Sequence, residues 1–211
     1  MEDEPMALKQ LTLDGFLEQT ASAAPAPGGG SIAALNGAGA AALIAMVAHL
    51  TIGREKYRDV QPLMEQTAAR AEALRVQFLD LIDQDSEAFP RIIAAYKLPK
   101  GTKEEKAARS AAIQEATKTA ALVPFRIGEL ACGLFDLAEL VIDKGNQGAV
   151  TDGAIAVINA RAAIRAAFLN VKINLGSLKD QDFVEEMRKK MAAIETAAET
   201  KEKELLEKVK L

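Results

Sequence analysis

Hydrophobic side chains recur along most of the chain at intervals of three and four residues. The clearest run extends from Val60 to Phe89, and the same spacing returns before the sequence KGNQG and again after Gln181. Residues three or four positions apart lie on one face of an α-helix. The pattern therefore predicts a series of amphipathic helices.

Prolines, glycines and capping residues divide this pattern into about six predicted helices, several of them long or kinked. Pro90 and Pro124 are expected to kink or end the helices that contain them. Thr102 and Glu105 have the spacing of a capping box, which opens the fourth helix. The predicted helices cover residues 12–22, 31–50, 59–90, 103–141, 151–173 and 181 onward.

Composition agrees with a helical chain. Alanine is abundant, tryptophan is absent, and hydrophobic and charged residues make up 49% and 27% of the 211 residues. Alanine and leucine favour helices, whereas strands need β-branched and aromatic residues. No repeat or linker divides the sequence, so we predict one all-α domain over residues 1–211, folded as a helical bundle.

Charge and cysteine content narrow the possible partners and compartments. The formal net charge is −4, whereas nucleic-acid-binding proteins usually carry a basic surface. The single cysteine, Cys132, has no internal disulfide partner. The first ten residues, MEDEPMALKQ, lack the basic and apolar regions of a signal peptide. We therefore expect a cytoplasmic protein that binds neither nucleic acid nor a membrane.

Residues 32–50 could form either a membrane-spanning helix or a buried core helix, because they carry no fixed charge over nearly the length of a membrane span. Most of this segment is alanine and glycine, and it contains Asn36 and His49, so its insertion into lipid would be poorly favoured. Helices that are apolar on all sides also occur in protein cores. A buried core helix is the preferred interpretation.

The sequence PGGGS at residues 27–31 stands immediately before this helix. Helix N-termini expose free backbone N–H groups and the positive end of the helix dipole, and glycines let an anionic ligand approach them. The glycines can equally serve a tight turn, and no nucleotide-binding glycine motif is matched. The candidate ligand-binding residues are Gly28, Gly29, Gly30 and Ser31.

Asp85 interrupts the apolar stripe of the third predicted helix, four residues after Leu81 and four before Phe89. Aspartate is almost never buried unless it is paired or functional. The alternatives are an ion pair with an internal Arg or Lys, or a kink near Pro90 that exposes the carboxylate. Because perturbed carboxylates concentrate at functional sites, Asp85 is the leading catalytic candidate.

A line of small and polar residues follows the fifth predicted helix. Asparagine amides offer both donors and acceptors, which suits a ring system with amide-like edges, and a polar seam between helices is the alternative. The first member of the line also fits an N-cap. The line comprises Asp152, Asn159, Ala163, Ala166, Asn170 and Asn174.

The remaining candidate residues are those that could bind a metal ion or an anion. His49 is the only histidine and Cys132 alone cannot recruit zinc, so no metal site is expected. Lys56 and Tyr57, in the sequence GREKY, suit an anionic group or simply belong to an exposed connector.

Several motifs, taken together, resemble the formimidoyltetrahydrofolate cyclodeaminase / methenyltetrahydrofolate cyclohydrolase family. They extend almost from end to end: APAPGGGSIAALNGAGAAAL, MVAHLTIGREKY, DSEAF, KLPKGTKEEKAAR, VPFR, GNQGAVTDGAIA and NVKINL. The chain is most similar to the stand-alone methenyltetrahydrofolate cyclohydrolases. This resemblance implies an all-helical enzyme of one-carbon metabolism that binds a tetrahydrofolate derivative, needs no further cofactor, and forms a homo-oligomer, with a dimer favoured.

The resemblance also implies a reaction, the reversible hydrolysis of 5,10-methenyltetrahydrofolate to 10-formyltetrahydrofolate. The one-carbon bridge of this substrate is an amidinium-like cation, which a buried carboxylate stabilises while it accepts a proton from water. Asp85 is then the general base, and Asp152 positions water or the pterin. The alternatives are cyclodeamination of 5-formiminotetrahydrofolate with release of ammonia, and a non-catalytic helical folate-binding or assembly protein.

Substrate-binding roles follow from the same resemblance. Thr151 stands where the family motif usually has serine, and it retains the hydroxyl. Backbone and hydroxyl groups of Gly28, Gly29, Gly30 and Ser31 contact the substrate, Lys56 with Tyr57 beside it faces the anionic glutamate tail, and Asn146 and Asn170 face the polar ring edges.

Overall fold

The computed structural model describes residues 7–210. Within this range the chain forms seven α-helices and no β-strand, which confirms the predicted all-α class. The first six residues of the segment considered for a signal peptide lie outside the described part. The helices are α1 (Leu13–Thr20), α2 (Gly29–His49), α3 (Gln61–Tyr96), α4 (Lys103–Cys132), α5 (Leu134–Lys144), α6 (Val150–Leu175) and α7 (Gln181–Lys208).

The helix boundaries follow local capping chemistry. The Thr102 hydroxyl accepts a hydrogen bond from the backbone N–H of Glu105 at 3.1 Å, and the Glu105 carboxylate accepts one from the backbone of Thr102 at 3.0 Å. The predicted capping box therefore forms. At α6 the alternative of an N-cap at Asp152 is wrong, because the helix begins after Ala149 and Asp152 lies in its first turn.

Neither internal proline ends its helix. α3 continues beyond Pro90, and α4 passes through Pro124. The predicted fourth helix is instead divided at Gly133, which separates α4 from α5. Ala121 and Phe125 on either side of Pro124 are buried in the core. Their packing holds α4 together where the proline cannot donate a backbone hydrogen bond.

Helix α2 occupies the centre of the bundle and packs along both α3 and α6. Twelve of its residues, from Gly30 to Ala48, are buried. Its small side chains allow α3 to approach closely, since a Cβ atom on Gly37 would lie 2.5 Å from the Phe78 ring. The alanine- and glycine-rich composition of α2 therefore brings the two helix backbones together.

Two segments, Gly29–His49 and Gln147–Leu175, are long and apolar enough to cross a membrane by length and composition alone. Core helices of proteins meet the same criterion. In α2, 61% of the most apolar window is buried inside the bundle, and the window in the second segment is 44% buried. The burial of α2 agrees with its interpretation as a core helix.

We expect Gly37→Ala to lower the free energy of unfolding by about 1–3 kcal/mol, because the added methyl group overlaps the Phe78 ring. Gly133→Ala is the matched control. A Cβ atom there meets its nearest neighbour, the Leu130 carbonyl oxygen, at an ordinary 3.4 Å. The control should gain about 0.4–1 kcal/mol from reduced freedom of the unfolded chain. Urea denaturation followed by circular dichroism measures both, and equal stability of the two variants contradicts the close packing of α2 on α3.

Candidate functional site

The Asp85 carboxylate lies against the first turn of α2. Its Oδ2 atom accepts a hydrogen bond of 3.0 Å from the hydroxyl of Ser31, which is fully buried. The backbone N–H of Ser31 also hydrogen-bonds to the carboxyl group. The Asp85 carboxylate is therefore hydrogen-bonded to a neutral hydroxyl and a backbone amide, both from Ser31. The alternative of an ion pair with an internal Arg or Lys is wrong.

Gly30 makes this approach possible. A Cβ atom at position 30 would collide with both oxygens of the Asp85 carboxylate, so the close contact requires glycine. Gly28 is the N-cap of α2, and Gly29 and Gly30 form its first turn. The glycines thus belong to the helix start and do not form a separate loop before it. Their backbone N–H groups lie at the positive end of the helix dipole.

Burial raises the pKa of Asp85 above its ordinary value, because removal from water disfavours the charged carboxylate. The hydrogen bonds from the Ser31 hydroxyl and backbone N–H act in the opposite direction and lower the pKa, but their combined effect is smaller. A raised pKa makes the ionised carboxylate a stronger base.

Asp85 and the glycines open into a cleft of about 390 Å³, a volume typical of small-molecule sites. The cleft contains no Lys or Arg among the described residues that line it. Its walls are apolar on the α3 side and carry asparagine amides on the α6 side. The lining residues are Pro25, Ala26, Gly28, Gly29, Gly30, Asp85, Ala88, Phe89, Ile92, Ala120, Asn170, Ile173, Asn174 and Ser177.

Asn170 is the second polar side chain from the predicted set that reaches this cleft. Its Nδ2 atom donates a 3.0 Å hydrogen bond to the Ala166 carbonyl oxygen. A Cβ atom built on Gly29 would lie 3.3 Å from the same nitrogen. The amide is therefore oriented beside the triple glycine, across the cleft from the α3 wall.

Several cleft residues were missed by the sequence analysis. The apolar stripe places Phe89 in the core, but 47% of this residue is exposed, and it forms part of the wall together with Ile92. Ile173 is 74% exposed and stands at the edge of the cleft. Asn174 was recognised as part of the polar line but was not predicted to bind the substrate. Its position four residues after Asn170 places both side chains on one face of α6, and this spacing could have indicated its place in the cleft.

A second group of predicted residues lies elsewhere. Lys56 and Tyr57 line a separate cavity of about 470 Å³, together with Lys144, Lys208 and Lys210. The Tyr57 hydroxyl accepts a 3.1 Å hydrogen bond from the Gln147 backbone N–H. This hydrogen bond lowers the pKa of Tyr57.

Asn146 serves the local structure beside this cavity. Its side chain donates to the Leu50 carbonyl oxygen at 3.2 Å and accepts from the Gly148 N–H at 3.1 Å. Its backbone N–H donates to the buried Thr51 hydroxyl at 2.8 Å. Asn146 therefore ties the end of α2 to the segment that leads into α6.

Asp152 also lies far from Asp85 in the described chain. It stands in the first turn of α6, whereas Asn170 follows 18 residues later on the same helix. At 1.5 Å per residue this separation is about 27 Å. The structure thus brings together Asp85, Ser31, the three glycines and Asn170, and it places Asp152, Asn146, Tyr57 and Lys56 at the opposite end of α6.

Among residues 7–210 no group of three or more His, Cys, Asp or Glu side chains is arranged to hold a metal ion. Neither His49 nor Cys132 lines the Asp85 cleft.

Comparisons with known proteins agree on one family. The family model described as "Formiminotransferase-cyclodeaminase" matches residues 12–193. A methenyltetrahydrofolate cyclohydrolase from Methylorubrum extorquens is 44% identical over 94% of this chain and 96% of its own length.

More distant relatives also match most of this chain. The formimidoyltransferase-cyclodeaminase of Rattus norvegicus is 31% identical over 92% of this chain, and the chain spans only 36% of that longer protein. The crystal structure of a formiminotetrahydrofolate cyclodeaminase from Thermotoga maritima superposes with a TM-score of 0.86, 30% identity and coverage of 96% and 97% of the two chains. The chain therefore belongs to the formiminotransferase-cyclodeaminase family.

Proposed function

We propose that this protein is an enzyme that hydrolyses 5,10-methenyltetrahydrofolate to 10-formyltetrahydrofolate in one-carbon metabolism. The observation that carries this proposal is the Asp85 carboxylate, held by Ser31 beside the triple glycine in a cleft of small-molecule size. Near-complete coverage by a relative named methenyltetrahydrofolate cyclohydrolase, at 44% identity, supports the assignment.

The charge of the cleft suits this substrate. The methenyl bridge carries a delocalised positive charge, and Asp85 is the only acidic side chain that lines the described cleft. Burial strengthens the attraction between a carboxylate and a cation, because little water screens it. The bound cation also favours the ionised form of Asp85, which offsets the effect of burial on its pKa.

The chemical role of Asp85 follows from this position. Water attacks the methenyl carbon and gives one proton to the carboxylate, which leaves a neutral tetrahedral adduct. The bond from that carbon to N5 then breaks as N5 is protonated, and the hydroxyl oxygen loses its proton to become the formyl carbonyl. One proton is released overall.

The remaining cleft residues suit the folate ring. Ala88, Phe89 and Ile92 provide an apolar wall for the flat pterin, while Asn170 offers an amide to its polar edge. The first-turn N–H groups of Gly29 and Gly30 can donate to an oxygen of the substrate. Ser31 holds the carboxylate in place, so it acts through Asp85.

Further properties belong to the same proposal. Lys56, with Tyr57 beside it, is assigned to the anionic glutamate tail, Asn146 to a polar ring edge, and Asp152 to water or the pterin, although within one chain all four lie at the opposite end of α6 from Asp85. The reaction needs no cofactor besides the folate. The protein acts as a homodimer in the cytoplasm and binds neither nucleic acid nor a membrane.

Cyclodeamination is the second candidate, because the superposed Thermotoga maritima structure carries that name. Both reactions pass through a tetrahedral centre at the same carbon, so one cleft serves either. Ammonia release from 5-formiminotetrahydrofolate and loss of the methenyl absorbance should be measured on the same preparation. Faster hydrolysis of the methenyl compound supports the proposal, and ammonia release without that hydrolysis contradicts it.

We expect Asp85→Asn to lower kcat for methenyltetrahydrofolate hydrolysis by about 10²–10⁴-fold, because the amide cannot accept the proton of water. The variant should melt at a higher temperature at pH 7, since it removes a charge that burial disfavours.

Asp83→Asn is the matched control on the same helix. Asp83 pairs with Lys9 at 3.4 Å and does not line the cleft, so this variant should retain the wild-type kcat. Full activity of Asp85→Asn contradicts the assignment of the general base.

Ser31→Ala should move the acidic limb of the kcat/KM profile to higher pH. The Ser31 hydrogen bonds lower the Asp85 pKa, so removal of the hydroxyl leaves a carboxyl group that is protonated, and inactive as a base, at a higher pH. Ser86→Ala is the control, because its hydroxyl donates to the Asp83 backbone carbonyl. Its profile should match that of the wild type, and a Ser31→Ala limb that stays in place shows that the limb does not report Asp85.

A further inference from the structure

A second cavity adjoins the Asp85 cleft. Its volume is about 310 Å³, and it lies between the end of α3, the first turns of α4 and the segment that follows α6. Ser177 lines both the cleft and this cavity, so the two spaces are in direct contact. We call it the Arg109 cavity, and its lining includes Tyr96, Lys106, Arg109, Gln114, Ser177 and Lys179.

The walls of the cleft continue into the Arg109 cavity. On α3, Tyr96 follows the cleft residue Ile92 by four positions, so both lie on one side of the helix. On α4, Ile113 precedes the cleft residue Ala120 by seven positions, which is about two helical turns. The cavity is therefore an extension of the cleft along α3 and α4.

The Arg109 cavity carries the positive charge that the cleft lacks. Lys106, Arg109 and Lys179 line it, and within residues 7–210 no Asp or Glu does so. In the same part of the chain none of these three cations lies within ion-pair distance of a carboxylate, whereas the nearby Lys118 is paired with Asp180 at 2.7 Å. The cavity therefore attracts an anion, because its charge is not compensated from within.

Hydrogen bonds hold two of these cations in position. The Arg109 guanidinium donates through Nε and Nη2 to the Tyr96 carbonyl oxygen, at 3.1 and 3.0 Å. The Lys179 Nζ atom donates to the Ser110 hydroxyl at 3.1 Å, and the Lys179 backbone N–H donates to the Gln114 side chain at 2.7 Å. Groups that are already held lose less conformational freedom when they bind a ligand.

The substrate of the proposed reaction has an anionic group that fits this position. Its one-carbon bridge is cationic, and its far end is a glutamate with two carboxylates. The benzoyl group and the glutamate are comparable in length to four residues of extended chain, roughly 14 Å. Tyr96 follows Asp85 by eleven residues, which is about 16 Å along α3. A folate whose bridge meets Asp85 therefore brings its carboxylates within reach of the flexible lysines of the cavity.

We propose that the Arg109 cavity binds the glutamate carboxylates of the folate whose methenyl bridge lies at Asp85, and that Lys106, Arg109 and Lys179 determine specificity for this tail. The inference rests on the proposed function, since it extends the same site. Lys56 is the competing candidate for the tail. It lines a cavity at the opposite end of α6, whereas the Arg109 cavity opens from the cleft itself.

The decisive experiment compares two substrates that differ only in the tail. One is 5,10-methenyltetrahydrofolate, and the other is its amide analogue, in which an NH₂ group replaces the glutamate. The wild type should have a KM about 3–30-fold higher for the analogue, as expected for the loss of a few partly exposed ion pairs. kcat should be equal for both, because the tail lies away from the reacting carbon. Added NaCl should reduce the difference in KM, since salt screens such charges.

A double variant, Lys106→Gln with Lys179→Gln, removes two of the cations. Its KM for the folate should rise about 3–10-fold, while its KM for the analogue and both kcat values stay at the wild-type level. Arg109 is left in place, because it also holds the end of α3. The matched control is Lys189→Gln with Lys203→Gln, which has the same net charge. Both of these lysines lie on α7 outside the two cavities, so the control should retain the wild-type KM for each substrate.

Equilibrium binding gives a readout that requires no turnover. The stable compound 5-formyltetrahydrofolate and its amide analogue are titrated into each protein and followed by calorimetry. The wild type should bind the folate about 3–30-fold more tightly than the analogue, and the double variant should lose most of this difference.

The outcomes separate the inference from the proposed function. Equal KM values of the wild type for the two substrates, or a double variant that keeps the wild-type preference for the tail, overturn the inference and leave the hydrolase assignment intact. Loss of that preference in Lys56→Gln, with its retention in the double variant, assigns the tail to Lys56 and also overturns the inference. A wild type that binds the folate more tightly than its analogue but does not hydrolyse the methenyl compound contradicts the proposed function alone.

Discussion

The contact between Asp85 and the first turn of α2 is the interaction on which the site depends. A carboxylate with little access to water is costly unless hydrogen bonds compensate it, and here the Ser31 hydroxyl and backbone N–H offset part of that cost. Neither group carries a charge, so the carboxylate keeps its full attraction for a cation. The same contact explains Gly30, because any side chain at that position would occupy the space of the carboxylate.

The composition of α2 follows from the same constraint. A helix that must lie close to α3 on one side and to α6 on another cannot carry large side chains there. Its glycines meet Asp85, Phe78 and Asn170 on neighbouring helices. The large side chains of the core come from the neighbouring helices of the same chain instead, where Phe78, Phe135 and Phe168 are fully buried. Stability and the shape of the site thus arise from one small-residue helix.

Much of this arrangement was predictable because its causes are local. The periodic apolar positions, the capping box at Thr102 and the breaks after α1, α5 and α6 depend on neighbouring residues only. The prolines were poorer guides to where the helices end, because α3 and α4 continue through Pro90 and Pro124, held by tertiary packing. The fourth predicted helix is divided at Gly133 instead. Phe89 was assigned to the core because periodicity shows which face of a helix is apolar. It does not show whether another helix covers that face at a given residue, and Phe89 is partly exposed.

The sequence by itself determined that the chain is all-helical, that PGGGS opens a small-residue helix, and that Asp85 interrupts an apolar stripe. These features depend on residue type and on spacing within one helix. Only the tertiary structure decided that Ser31, 54 residues away, is the partner of Asp85, and that Asp152 lies at the other end of α6. Contacts between helices depend on how the whole bundle packs, and no local pattern encodes that distance.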